Sequence, residues 1–169
     1  MKSYKPVLWA GIVLGIGLGG FVDGIVLHQI LQWHHMLTSA GFPPTSVANL
    51  EINTLADGLF HAATWVVTAI GLVMLWRAGR RNDVLWSPSV FVGALLIGWG
   101  LFDLVEGLID HQILGIHHVR PGPNEFAYDM GFLAFGALLT VVGWLLVQRG
   151  RRGMASTESA TRGAATRRA

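Results

Sequence analysis

Cysteine is absent from this 169-residue chain, so a disulfide framework, a thiolate metal site and a thioether-attached haem are all excluded. Charge is scarce too. Only 13% of the residues are charged, against about 25% in an ordinary soluble domain. Nothing in a formal net charge of +2 points to nucleic acid. With 52% hydrophobic content, this is not the composition of a soluble domain.

What is present instead is four apolar stretches, about Val7–Leu31, Leu55–Trp76, Ser89–Ile113 and Phe126–Val147. Each approaches or exceeds the roughly 20 residues that carry a helix across a bilayer. Glycine recurs inside them, as it does where transmembrane helices approach closely. The fold class is therefore an all-α integral membrane protein, a bundle of four transmembrane helices. Its basic residues are sorted. Lys2 and Lys5 precede the first span, Arg77, Arg80 and Arg81 follow the second, and Arg149, Arg151 and Arg152 follow the fourth; the other two loops carry Arg120 alone. The positive-inside rule then puts both termini in the cytoplasm, with loops 34–54 and 115–125 outward. The start has the charge and apolar run of a signal peptide, but no A-x-A site follows, so the first span is read as uncleaved.

A polar cassette occurs twice. Asp23, Gly24, His28-Gln29-Ile30-Leu31 and His34-His35 align without a gap on Glu106, Gly107, His111-Gln112-Ile113-Leu114 and His117-His118. The second helices agree more weakly: Asn53 and Asp57 match Glu125 and Asp129, while His61 meets Leu133. The chain reads as two parallel-repeat helical hairpins, about 7–76 and 89–147, in a domain spanning 1–148. Residues 149–169 are rich in Ser, Thr, Ala, Gly and Arg and are expected to form a disordered basic tail.

Helical arithmetic sets His28, His111, Asp57 and Asp129 about one turn inside the outward ends of the spans, with Asp23, Glu106 and His61 about a turn deeper. A charge in the hydrocarbon centre costs about 2.5–3.5 kcal/mol on the insertion scale, so the carboxylates need a partner, and the basic side chains lie at the other face. Imidazole and carboxylate on facing helices suit a transition metal such as Cu, Zn or Fe, with room for two ions. His28, His111, His61, Asp57 and Asp129 are the candidate ligands, with Asp23 and Glu106 as ligands or as groups that orient the imidazoles.

Other readings stay open. A b-type haem could lie between His28 and His111. Asp103, Glu106 and Asp110 share one face of the third span, a pattern that also marks proton or cation relays. His34, His35, His117 and His118 fall at or beyond the interface, where metal capture and ordinary hydrogen bonding weigh equally.

The quoted cassettes, with "NTLADGLFHAATW" between them, resemble bacterial predicted membrane proteins of domain-of-unknown-function family 2243. The resemblance covers about residues 7–147 and implies a four-helix inner-membrane protein without an established activity. Relatives fused to or beside a copper-delivery factor for cytochrome oxidase add a hint of copper. The partners it suggests are respiratory-oxidase or copper-assembly proteins; the apolar spans add the lipid bilayer, and a homo-oligomer stays open. The sequence reading is thus a membrane metal-binding protein with an outward-side His/carboxylate centre, in metal handling or redox chemistry. A relay without bound metal and a haem protein are the alternatives, and whether the protein is an enzyme stays open.

Overall fold

Helix starts are written into the chain. Ser46 and Ser87 hold extended backbone, and their side chains accept from the Asn49 and Val90 amides, capping α2 (Val47–Gly79) and α3 (Pro88–Glu106). Proline in the first turn of α1 (Lys5–Asp23) and of α3 fits the same logic, since its missing N–H would have no partner there. The long α4 (Glu125–Thr166) follows a short loop. The protein is described by a computed structural model over residues 2–166, with side chains through residue 156. Of the tail expected to be disordered from Arg149 onward, the last three residues and the side chains beyond 156 lie outside the described residues.

All four helices are long and apolar enough to cross a membrane, and no strand occurs among the described residues. The result is an all-α four-helix bundle. Its centre is the α1–α3 pair; α2 flanks α1 and α4 flanks α3, and among the described residues the backbones of the two flanking helices are not neighbours. Glycine permits the central contact. A Cβ on Gly15 would collide with the Leu95 carbonyl, and one on Gly98 with that of Ile12. At the terminal end Val7, Ala78 and Val84 form a small apolar core with Phe91. Ser3 pairs there with the α2–α3 connector through Asp83 and Leu85.

The duplication is visible in the packing. Gly17 lies against Thr68 as Gly100 lies against Thr140, and Gly71 meets Leu14 as Gly143 meets Ile97. One pair is exchanged: small Gly20 faces Thr64, whereas Asp103 faces small Gly136.

Polarity is arranged for a bilayer. Leu55, Trp65 and Phe126 are each more than 60% exposed. Of the largest fully buried side chains, only Val7 and Val90 are apolar; the others are His28, His34, His117, Asn53, Asp57, Asp103 and Asp129. Apolar surface faces outward, and the end of the bundle opposite the termini has a polar core.

Candidate metal centre

Each cassette begins where its helix changes pitch. After Asp23 and Glu106 the backbone continues as π-helix, Gly24–Ile30 and Gly107–Ile113. The wider turn ends with the Leu31 amide on the Val26 carbonyl and that of Leu114 on Ile109. Single π turns of this kind recur at functional sites. Both copies then reverse through a left-handed residue at the same register, Gln32 (φ 50°) and Gly115 (φ 58°). Glycine takes that conformation without the steric cost that Gln32 bears.

This reversal separates the two histidines of each pair. His34 and His117 turn inward and are buried. His35 and His118 stay at the rim, where each Nδ1 donates at 2.7 Å to Asp57 and Asp129 respectively.

Four imidazoles therefore meet between the repeats. Ring centroids are 4.4 Å apart for His28 and His34, 4.8 Å for His34 and His117, and 4.9 Å for His111 and His117. Their Nδ1 atoms face outward. His28 Nδ1 donates to Asp57 at 2.9 Å, and His111 Nδ1 lies 3.6 Å from Asp129. His34 Nδ1 donates to the Val119 carbonyl at 2.9 Å, and His117 Nδ1 to that of Met36 at 3.2 Å. A carbonyl only accepts, so these last two contacts put a proton on Nδ1, and a neutral ring then carries its lone pair on Nε2.

The Nε2 side of the rings meets two buried carboxylates. His28 Nε2 is 3.3 Å from Asp23, and Glu106 is 3.2 Å from His111 Nε2 and 2.8 Å from His117 Nε2. An Nε2 lone pair repels a carboxylate unless a proton or a metal cation lies between them. Asp23 Oδ2, His28 Nε2, His34 Nε2, both His111 nitrogens, Glu106 Oε2 and Asp103 Oδ2 are buried without a hydrogen-bond partner among the described residues. Such orphans are rare in folded proteins, and each calls for an explanation. Ligand atoms of His28, His34 and His117 lie within 4.8 Å of one another, as do those of Glu106, His111 and His117. These buried groups could hold a metal ion.

Asp57 and Asp129 are engaged differently. Asp57 accepts from His28, His35 and the Met36 amide, and Asp129 from His118, Gln112 and the Val119 amide. Both tie a rim loop to a flanking helix and stand behind the inner rings. His61 donates Nδ1 to the Asp57 carbonyl at 2.7 Å and packs against Gly24, Phe21 and Phe60, apart from the four-ring cluster. Asp110 is only partly buried. His34 and His117, whose role the spacing left open, stand at the centre. Burial, helped by His28 and His117 nearby, pushes the His34 imidazole down to about 3, so this ring is neutral.

Fold and site together define a multi-pass membrane protein with a buried His/carboxylate cluster at one end. The chain belongs to the family described as Predicted membrane protein (DUF2243), whose model matches residues 10–150. No solved structure matches the chain.

Proposed function

We propose that the protein is an integral membrane metal-binding protein. The Nε2 atoms of His28, His34, His111 and His117, with Asp23 and Glu106, would hold one or two transition-metal ions. One observation carries this reading: the buried atoms that lack hydrogen-bond partners are concentrated where both repeats point their Nε2 edges. Oriented imidazoles of this kind, with Nδ1 on a carboxylate or carbonyl, are typical metal ligands. Asp57 and Asp129, candidate ligands by spacing, then act by orienting His28 and His111, and His61 supports the Asp57 end of α2.

Imidazole with carboxylate suits Cu, Zn or Fe, and metal handling or redox chemistry would use the centre. The family resemblance suggests a bacterial inner-membrane location, and the sorted basic residues support cytoplasmic termini with the centre on the outward side. Copper-assembly or respiratory-oxidase proteins are the partners to test first, on the strength of the family resemblance. A haem between His28 and His111 fits poorly, because His34 and His117 occupy the space that a porphyrin would need.

A relay is the second reading, favoured by Asp103, buried at the centre's inner side with Oδ2 unpartnered. Elemental analysis of detergent-purified protein separates the two. Stoichiometric metal that disappears in His28→Ala and His111→Ala supports the centre. Metal-free wild type with proton flux that depends on Asp103 supports the relay.

A further inference from the structure

At the end of the bundle that carries the termini, a cavity of about 800 Å³ opens between the N-terminal segment, the start of α3 and the far part of α4. Its walls include Lys2, Trp86, Ser89, Arg149, Gly153 and Met154. Backbone contacts hold these walls in place. The Ser3 amide donates to the Asp83 carbonyl at 2.9 Å, and the Ser3 carbonyl accepts from the Leu85 amide at 3.0 Å. That bridge fixes where Lys2 stands. Gly150 lets α4 close on α3, since a Cβ there would meet the Ser87 hydroxyl at 2.8 Å. Three residues on, a Cβ built on Gly153 meets nothing within 4 Å. Close contact has given way to open space.

Charge at this end is of one sign. Of the basic residues up to Arg152, only Arg120 lies at the other end. Several are already engaged: Arg81 pairs with Asp83 at 2.8 Å, Arg80 covers the Trp76 ring, and Arg151 covers that of Tyr4. Lys2 and Arg149 have no carboxylate within 4 Å among the described residues. A cleft lined by one sign of charge concentrates ions of the other, so this cavity selects an anion.

The remaining walls say which kind. Leu85, Trp86, Pro88 and Met154 are apolar and share the lining with the two bases. The volume falls within the range of about 300–1,000 Å³ that holds whole organic ligands, far more than an inorganic phosphate fills. The third membrane-crossing helix begins at Pro88, so the cavity opens at the depth of lipid headgroups. Trp86 is 50% exposed and stands where indoles gather at a membrane interface. A molecule with a phosphate at one end and hydrocarbon at the other matches both halves of the lining. A choline headgroup would bring a cation towards Lys2 and Arg149, which disfavours a zwitterionic lipid.

We infer that this cavity is a binding site for an anionic phospholipid, its phosphate between Lys2 and Arg149 and its glycerol and first acyl carbons against Trp86 and Met154. Basic pockets between membrane helices hold lipid headgroups in this way. The site stands apart from the metal centre and does not depend on it.

Native mass spectrometry of the full-length protein in detergent micelles tests this, with phosphatidylglycerol or phosphatidylcholine of the same acyl chains as probe. Expected is one phosphatidylglycerol bound at least tenfold more tightly than phosphatidylcholine. Lys2→Gln and Arg149→Gln should each weaken it about fivefold, the usual contribution of one base near a lipid surface. Gly153→Trp and Ser89→Trp, which fill the cavity and keep its charge, should abolish it. Arg80→Gln removes a base of the same end outside the cavity and should change nothing. Equal binding of the two lipids, or selective binding that survives both tryptophan variants, overturns the site. An equal loss in Arg80→Gln shows diffuse attraction to a basic surface and overturns it as well. Displacement of the lipid by millimolar inorganic phosphate makes the occupant a free anion and overturns the lipid.

Discussion

His34 in the first repeat donates its Nδ1 hydrogen to the carbonyl of Val119 in the second at 2.9 Å. His117 returns the contact to Met36 at 3.2 Å. Met36 and Val119 occupy the same place in the two cassettes, so each repeat fixes an imidazole that belongs to the other. Neither hairpin can complete the cluster alone, which gives the duplication a physical purpose.

The first prediction concerns these two rings. His34→Ala and His117→Ala should each lower metal affinity by more than about 100-fold, beyond the loss of an orienting partner. His61→Ala, which removes a ring outside the cluster, should leave stoichiometry near wild type. Competition with a metallochromic chelator measures all three. Equal losses in the three variants would mean that the cluster has been drawn around the wrong residues.

Orienting carboxylates should matter less than ligands but should still matter. Asp57→Asn keeps the shape and disturbs four hydrogen bonds, those from His28, Gln29, His35 and the Met36 amide. Loss of such a partner commonly costs about 10–100-fold in affinity. Titration should find Asp57→Asn and Asp129→Asn in that range with stoichiometry unchanged. Complete loss of metal from either would make it a direct ligand.

Acid should destabilise the metal-free protein through His34. Its folded value of about 3 lies below the ordinary 6.5. The unfolded chain therefore binds the extra proton between those values, and stability falls as pH falls. The contribution is complete above about pH 6.5, and about 2 kcal/mol of it is lost between pH 7 and pH 5. Chelator-treated His34→Asn, whose amide can still donate to Val119, should show a shallower fall in thermal denaturation over that window. An unchanged slope would show that His34 is not the buried neutral ring described here.

Helix contact supplies a further pair. Gly15→Ala drives a methyl group into the Leu95 carbonyl, and overpacking of this kind costs about 1–3 kcal/mol. Gly58 on α2 has nothing within 4 Å of a built Cβ, so Gly58→Ala should gain about 0.5–1 kcal/mol through reduced backbone freedom. Unfolding in mixed detergent micelles would rank the two. Similar effects from both would argue against the close α1–α3 crossing.

Much of this was legible in the sequence, for reasons that particular residues show. Four apolar runs gave four spans because bilayer thickness fixes helix length. α2 nevertheless starts at Val47 rather than near Leu55, since Ser46 caps it ahead of the apolar run. His28, His111, Asp23 and Glu106 were legible as polar groups in apolar helices, and all four are buried together. His34 and His117 were not, because arithmetic at one helical pitch carries them outward. The backbone instead widens to a π turn and reverses at Gln32 and Gly115. Gly115 was the available signal, as a residue free to take the left-handed conformation just before the histidine pair.

X-ray absorption at the metal edge of purified wild-type protein tests the central claim most directly. The account predicts bound metal with at least two imidazole nitrogens per ion, near 2.0 Å for zinc, and a reduced nitrogen count in His34→Ala and His117→Ala. A folded wild type that takes up no metal, or metal surrounded by oxygen alone, would contradict it.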